Sequence, residues 1–299
     1  MQGEAAMAHA EKIKVAVAQI APELGDVAAN KEKHLEYIAR AREQDVDLLV
    51  FPELSMTGYS VGPQAVDLAI DRDHPLMHEI ASATGPMWTT FGFVEEGVAA
   101  QFHNSAITLR DGKIEFIHRK LNLASYGHLE EEKHYAEGRY IETFRLEHTP
   151  WRAATMICAD LWNPALVHLA AVHGATLLMV PIASAEDVVS GEFSNPNNWR
   201  LALEFYAMMY GMPLVVANLA VNEGGLCFWG GSRIIDPFGT TVAQADGGED
   251  LIVGTLDYTA VKRARYQLPT VRDSNLDLLH REIGRLSWQV GIPPESRKI

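Results

Sequence analysis

The sequence predicts an α/β fold in one compact domain, and three observations lead there. Short apolar runs alternate along the chain with amphipathic segments of helical period. Hydrophobic residues make up 47% of the 299 residues and charged residues 21%, the balance of a soluble globular protein. No Ser/Gly/Pro-rich linker and no low-complexity block divides the chain.

The elements follow in order. Ile13–Ile20 reads as a strand. Residues 30–43 carry Leu35, Ile38 and Ala39 at helical spacing, and Asp47–Phe51 is a strand stopped by Pro52. Met87–Val94, Ser105–Leu109 and Ile114–His118 are strands by their β-branched and aromatic content. The same reasoning marks strands at Ala153–Cys158, Thr176–Val180, Leu214–Asn218, Gly231–Ile235 and Leu251–Leu256. Helices are expected at Pro164–His173, Trp199–Tyr210 and Tyr258–Arg265. The Trp199–Tyr210 segment is apolar nearly all round, which places it between a sheet and a partner surface. An internal echo joins Val46-Asp-Leu-Leu-Val-Phe-Pro52 to Ala175-Thr-Leu-Leu-Met-Val-Pro181, each after an expected helix. Two related halves would produce it, and so would the shared composition of buried parallel strands.

Composition narrows the function classes. A formal charge of −14 argues against binding a nucleic-acid backbone, and solubility accounts for it. No apolar run reaches membrane-spanning length, so no membrane partner is expected. Residues 1–12 are Ala-rich and polar, unlike a signal peptide, and read as a loose tail. Two cysteines, Cys158 and Cys227, offer no disulfide framework and suit a reducing cytoplasm.

Cys158 lies where an apolar strand gives way to polar residues, shortly before a helix near Pro164. A thiol there is expected to be partly exposed and near backbone N–H dipoles, which favour the thiolate. Buried packing is the competing role for a free cysteine. Glu53 and Lys120 also follow strands, and ligands of open α/β sheets gather at such carboxyl ends. Taken singly, Glu53 is equally a turn cap and Lys120 a solvated charge.

With their flanks, the three resemble the nitrilase, or carbon–nitrogen hydrolase, superfamily, from Ile13 to Asp273. Phe51-Pro-Glu53-Leu-Ser-Met-Thr-Gly-Tyr59 is similar to its glutamate motif, and His118-Arg-Lys120-Leu-Asn-Leu to its lysine motif. Met156-Ile-Cys158-Ala-Asp160 is similar to its cysteine motif, and Gly230-Gly-Ser-Arg-Ile-Ile-Asp-Pro-Phe-Gly239 to its late strand-turn-strand signature. Four fragments in the expected order carry the resemblance. It implies a four-layer α-β-β-α sandwich over residues 13–273, leaving 274–299 as a C-terminal extension. It also implies homodimers or larger assemblies, with the Trp199–Tyr210 helix and the extension as contributors.

The resemblance implies hydrolysis of a non-peptide C–N bond in a small carboxamide, without metal or organic cofactor. Cys158 is then the nucleophile, Glu53 the general base, and Lys120 with the Ala159 N–H the stabiliser of the oxyanion. Lys120→Ala is accordingly expected to hurt turnover far more than folding. A second carboxylate is implied within Leu123–Tyr135. Glu131 matches it best, with Glu130 and Glu132 as one-residue slips, and two of the three are expected to be a solvated acidic turn. His128 and His134 flank this triplet, but their spacing is not that of a one-turn zinc pair.

The branch is marked by Ala159-Asp160, where nitrile hydrolysing members carry Trp-Glu, which counts against a nitrile substrate. Leu161-Trp162-Asn163 lacks the arginines that carbamoylases use to clamp a carboxylate. Tyr126-Gly127 and Cys158-Ala-Asp-Leu-Trp162 look most like the glutaminase domain of glutamine-dependent NAD synthetase, although Ala159 replaces an acidic residue there. A free-standing amidase related to that branch is expected. Tyr59, His128, Trp162, Ser184 and Glu186 are substrate-contact candidates by position, Glu186 either pairing with a cationic group or capping the next segment. Cys227 lacks a carboxylate or lysine motif and reads as structural. The rivals are a nitrilase using the same three residues and a non-catalytic binding module.

Overall fold

The computed structural model describes residues 11–186, 188–189 and 192–290. Its first half runs β1 (Lys12–Gln19), α1 (Val27–Arg42), β2 (Leu48–Val50), α2 (Ala65–Leu68), α3 (Pro75–Thr84), β3 (Trp88–Glu96), β4 (Phe102–Arg110) and β5 (Lys113–Arg119). The second half begins β6 (Phe144–Arg145), β7 (Arg152–Thr155), α4 (Pro164–Val172), β8 (Leu177–Pro181), α5 (Asn195–Tyr210) and β9 (Leu214–Ala217). A small hairpin, β10 (Asn222–Glu223) and β11 (Leu226–Cys227), precedes β12 (Arg233–Ile235) and β13 (Thr241–Gln244). β14 (Asp250–Asp257), α6 (Tyr258–Gln267) and α7 (Leu276–Gln289) close the described chain.

Two six-stranded sheets form, ordered β14-β1-β2-β3-β4-β5 and β13-β12-β9-β8-β7-β6. In the first, β1, β2 and β3 are parallel and the outer strands antiparallel. The second repeats this with β7, β8 and β9. β2 and β8 hold equivalent places, so the sequence echo corresponds to two halves of one topology.

Strand alternation builds the layers. Val15, Val17, Leu48 and Val50 of the first sheet meet Ala153, Leu177, Met179 and Val215 of the second in one shared core. The alternate residues Ala16, Ala18 and Leu49 face outward onto Tyr37 and Ile38 of α1 and Ile80 of α3. Ala154, Leu178 and Val216 meet Val167 of α4 and Leu203 of α5. An α-β-β-α sandwich results, with strands apolar on both faces.

Local chemistry sets the helix starts. Asp26 accepts from Ala29 N ahead of α1, and Asn163 accepts from Ala165 N with Pro164 at the first helical position of α4. The reading above omitted α2, α3, α7, β6, β10, β11 and β13. In α3, Pro75 opens a helix behind the cap of His74 instead of breaking one. The strand expected to run to Cys158 stops at Thr155, because Ile157 N–H donates to the Asp160 side chain. Lys12, expected in the tail, opens β1, while residues 1–10 and 291–299 lie outside the described residues. Among the described residues, no helix is long and apolar enough to cross a membrane.

Candidate active site

Strand ends of both sheets deliver the reactive groups to one place. Glu53 leaves β2 in a turn that rests on Gly92 of β3, where a Cβ would lie 2.2 Å from Leu54 N. Only glycine permits that approach. Lys120 follows β5, its N–H donating to the Asn104 carbonyl of β4 at 2.9 Å. Cys158 begins the short turn Cys158–Trp162 with φ +44°, a left-handed conformation unusual for a residue with a side chain.

Asp160 holds that turn. Its Oδ2 accepts from Ile157 N at 2.9 Å and sits 3.0 Å from His118 Nε2. Its Oδ1 accepts from Leu121 N at 2.9 Å and Asn122 N at 2.8 Å. One buried carboxylate therefore joins the cysteine turn to the segment carrying Lys120.

Lys120 Nζ donates to Glu53 Oε1 at 2.6 Å and to Glu131 Oε1 at 2.7 Å. Tyr59 OH donates to the same Glu131 oxygen at 2.6 Å, and Ala124 N to its Oε2 at 3.1 Å. Asn104 Nδ2 donates to Glu53 Oε1 at 2.7 Å, and Ala183 N, just past β8, to Glu53 Oε2 at 2.7 Å. The Ala183 N–H also faces Cys158. Lys120 is 0% exposed, Glu53 1%, Glu131 4% and Cys158 6%, so these charges act on one another with little screening.

Burial pushes the Glu53 carboxyl above its ordinary value, with Lys120 opposing and Glu131 assisting. Burial works against the Lys120 charge too, but Glu131 and Glu53 outweigh it and hold the ammonium well above its ordinary value. Burial and the nearby Glu53 push the Cys158 thiol well above its own, against the pull of Lys120. The expectation of a partly exposed, thiolate-favouring sulfur is thus corrected. Burial and the neighbouring Glu53 carboxylate both disfavour the thiolate here.

The other candidates fall at different distances from this cluster. Among the Glu triplet, Glu131 points inward, whereas Glu130 pairs with Lys133 at 2.7 Å in solvent and Glu132 is exposed. Tyr59 and His128 line a cavity of ≈ 550 Å³ together with Glu131, His134, Tyr135 and Leu226. Cys158 is not on its wall, so the cavity meets the cluster through Tyr59 and Glu131. Trp162 packs on Trp199 and Phe193. Ser184 is buried, its N–H and C=O both bonded to the Asn218 carboxamide. Glu186 is exposed, its N–H donating to Cys227 O, while Ser194 precedes α5, so Glu186 does not cap that helix. Ala159 is buried beside Cys158. Asn104 and Ala183 escaped the sequence reading, and the one available signal was a buried-strand asparagine immediately before Ser105.

Comparisons with known proteins show which family and fold the chain shares. Residues 14–266 match the family model described as carbon-nitrogen hydrolase. The glutamine-dependent NAD(+) synthetase of Thermotoga maritima is 26% identical over 89% of this chain, which spans 48% of that protein's length. A citrullinase of Francisella tularensis is 24% identical, covering 89% of this chain and 96% of its own. A solved amidase variant from Nesterenkonia sp. AN1 superposes with a TM-score of 0.75 at 23% identity, covering 90% of this chain and 99% of its own. That structure carries a Michael adduct of acrylamide at its active-site cysteine.

Proposed function

Because the chain belongs to the carbon–nitrogen hydrolase family, we propose that it hydrolyses a small carboxamide through a thioester on Cys158. Glu53 takes the thiol proton as sulfur attacks the carbonyl carbon. The oxyanion faces Lys120 and the Ala159 N–H, and Glu53 returns the proton to nitrogen as ammonia departs. Water then gives a proton to Glu53 and attacks the thioester, and the carboxylic acid leaves as sulfur recovers that proton. Glu131 and Tyr59 hold Lys120 in place.

The observation that carries this reading is Lys120 fixed between Glu53 and Glu131 at 2.6 and 2.7 Å in a buried cluster with Cys158. A solvated surface lysine needs no such setting. The names of the relatives point towards glutamine and citrulline, and the amidase places covalent chemistry on its cysteine. Nitrile hydrolysis would use the same residues. We favour the amide because Ala159-Asp160 replaces the Trp-Glu expected of nitrile hydrolysing members. The proposal includes association of two or more copies of this chain, supported by exposed Leu276, Leu279, Ile283 and Leu286 along one face of α7. It also includes a cytoplasmic setting, where the thiol stays reduced.

Brief incubation with a panel of small amides and nitriles, followed by intact mass measurement, tests the reaction. An acyl adduct on Cys158 with ammonia release from amides is expected. Turnover of nitriles alone, or turnover surviving Cys158→Ala, overturns the reading.

A further inference from the structure

We propose that Asn104 is a positioning residue that fixes which oxygen of Glu53 receives the thiol proton. This rests on the reading of Glu53 as the general base.

Asparagine is disfavoured inside strands, yet Asn104 sits within β4, 1% exposed, opposite Val94 of β3. Its side chain and backbone serve both halves of the acid–cation pair. Nδ2 donates to Glu53 Oε1 at 2.7 Å, and its carbonyl accepts from Lys120 N at 2.9 Å. Its Oδ1 is buried and has no partner among the described residues. Turning the carboxamide over would set that oxygen against the Glu53 carboxylate, so the charge dictates the observed orientation. A residue kept only for packing would avoid the unpartnered oxygen.

The two carboxylate oxygens are consequently unequal. Oε1 accepts two side-chain donors, the Lys120 ammonium and the Asn104 amide. Oε2 accepts the Ala183 N–H, the same amide that faces Cys158. Protonation on Oε1 would break a charge-assisted bond to lysine, whereas protonation on Oε2 leaves both side-chain bonds intact. Oε2 therefore carries the proton between sulfur and the leaving nitrogen, and Asn104 keeps the carboxylate from rotating. The titratable groups facing Glu53 are Lys120, Glu131, Cys158, Tyr59, Tyr126 and Tyr135. Asn104 is the neutral side-chain donor to Glu53, so removing it disfavours the ionised carboxylate without altering any neighbouring charge.

The test reads the rate of iodoacetamide alkylation at Cys158 against pH, by peptide mass spectrometry, in wild type, Asn104→Leu, Asn104→Asp and Thr108→Val. The acid limb reports ionisation of Glu53. Loss of a bond to a charged group should move it up by about 1–2 pH units in Asn104→Leu. Asn104→Asp keeps the shape and should move it further, because two adjacent carboxyls hold a shared proton. Thr108→Val, on the same strand as Asn104, breaks a buried 2.9 Å bond to Thr90 of β3 and should leave the limb unmoved. A limb unmoved in folded Asn104→Leu or Asn104→Asp overturns the proposal, as does an equal shift in Thr108→Val. Alkylation needs no substrate, so failure of the amide reading appears separately, as wild type that alkylates but turns over no amide.

Discussion

At the residue scale, Lys120 shows how burial changes the meaning of a substitution. From sequence, Lys120→Ala should harm turnover far more than folding. The structure adds that Lys120 is 0% exposed and lies between two buried carboxylates. Removing it leaves charges without compensation, so we expect a loss of about 3–5 kcal/mol in stability besides the loss of activity. The pH dependence has a definite sign. The Glu53 carboxyl is raised in the fold, so the folded state binds a proton more readily than the unfolded chain. Lysine-free protein should therefore regain stability as pH falls from 8 towards 5, which thermal melts would register. A melting temperature independent of pH over that range would contradict the argument. In wild type the same raised carboxyl must be ionised to act as base, so activity should fail on the acid side at a pH above the ordinary glutamate value.

At the element scale, the decisive part is the turn Cys158–Trp162 and the carboxylate that ties it down. Asp160 receives three backbone N–H bonds and lies against His118, drawing Ile157 out of the strand ladder so that Cys158 adopts its positive φ. Asp160→Asn would turn an NH₂ group towards backbone donors. We expect a cost on the order of 2 kcal/mol, with kcat reduced at least tenfold through misplacement of sulfur. Measured kcat within twofold of wild type would show that the turn holds itself. Part of this scale was legible in the chain: strands ending before Glu53 and Lys120, and one close to Cys158, could be read from apolar runs meeting polar residues. The exit geometry could not, since it depends on a side chain two positions beyond Cys158 bonding to a segment near residue 121. Nor could Asn104 or Ala183, because a backbone N–H leaves no mark in residue type and one strand asparagine has many structural uses. The cysteine's environment was misread for a related reason. Proximity to N–H dipoles follows from sequence position, whereas desolvation depends on everything packed above it.

At the scale of the whole molecule, the two sheets repeat one strand order, with Leu48–Val50 and Leu177–Pro181 of the sequence echo in equivalent places. The two sheets share one core layer, and further apolar layers lie between each sheet and its helices. The outer surface is less evenly covered. Leu201, Phe205 and Met208 of α5 are exposed, as are the apolar residues along one face of α7. Light scattering at micromolar concentration should give a dimer or larger particle, and charged substitutions at Leu279 and Ile283 should shift it towards monomer. A wild-type monomer would remove association from the proposal.

Although β14 comes from the end of the second half, it lies beside β1 in the first sheet, while Glu53 and Lys120 come from one half and Cys158 and Ala183 from the other. The ancestral-looking repeat is thus sewn shut: a fragment cut between β5 and β6 would lack an edge of its own sheet and hold only the acid and the cation. On the proposed mechanism, catalytic competence belongs to the seam, where strand ends of the two sheets bring their side chains together.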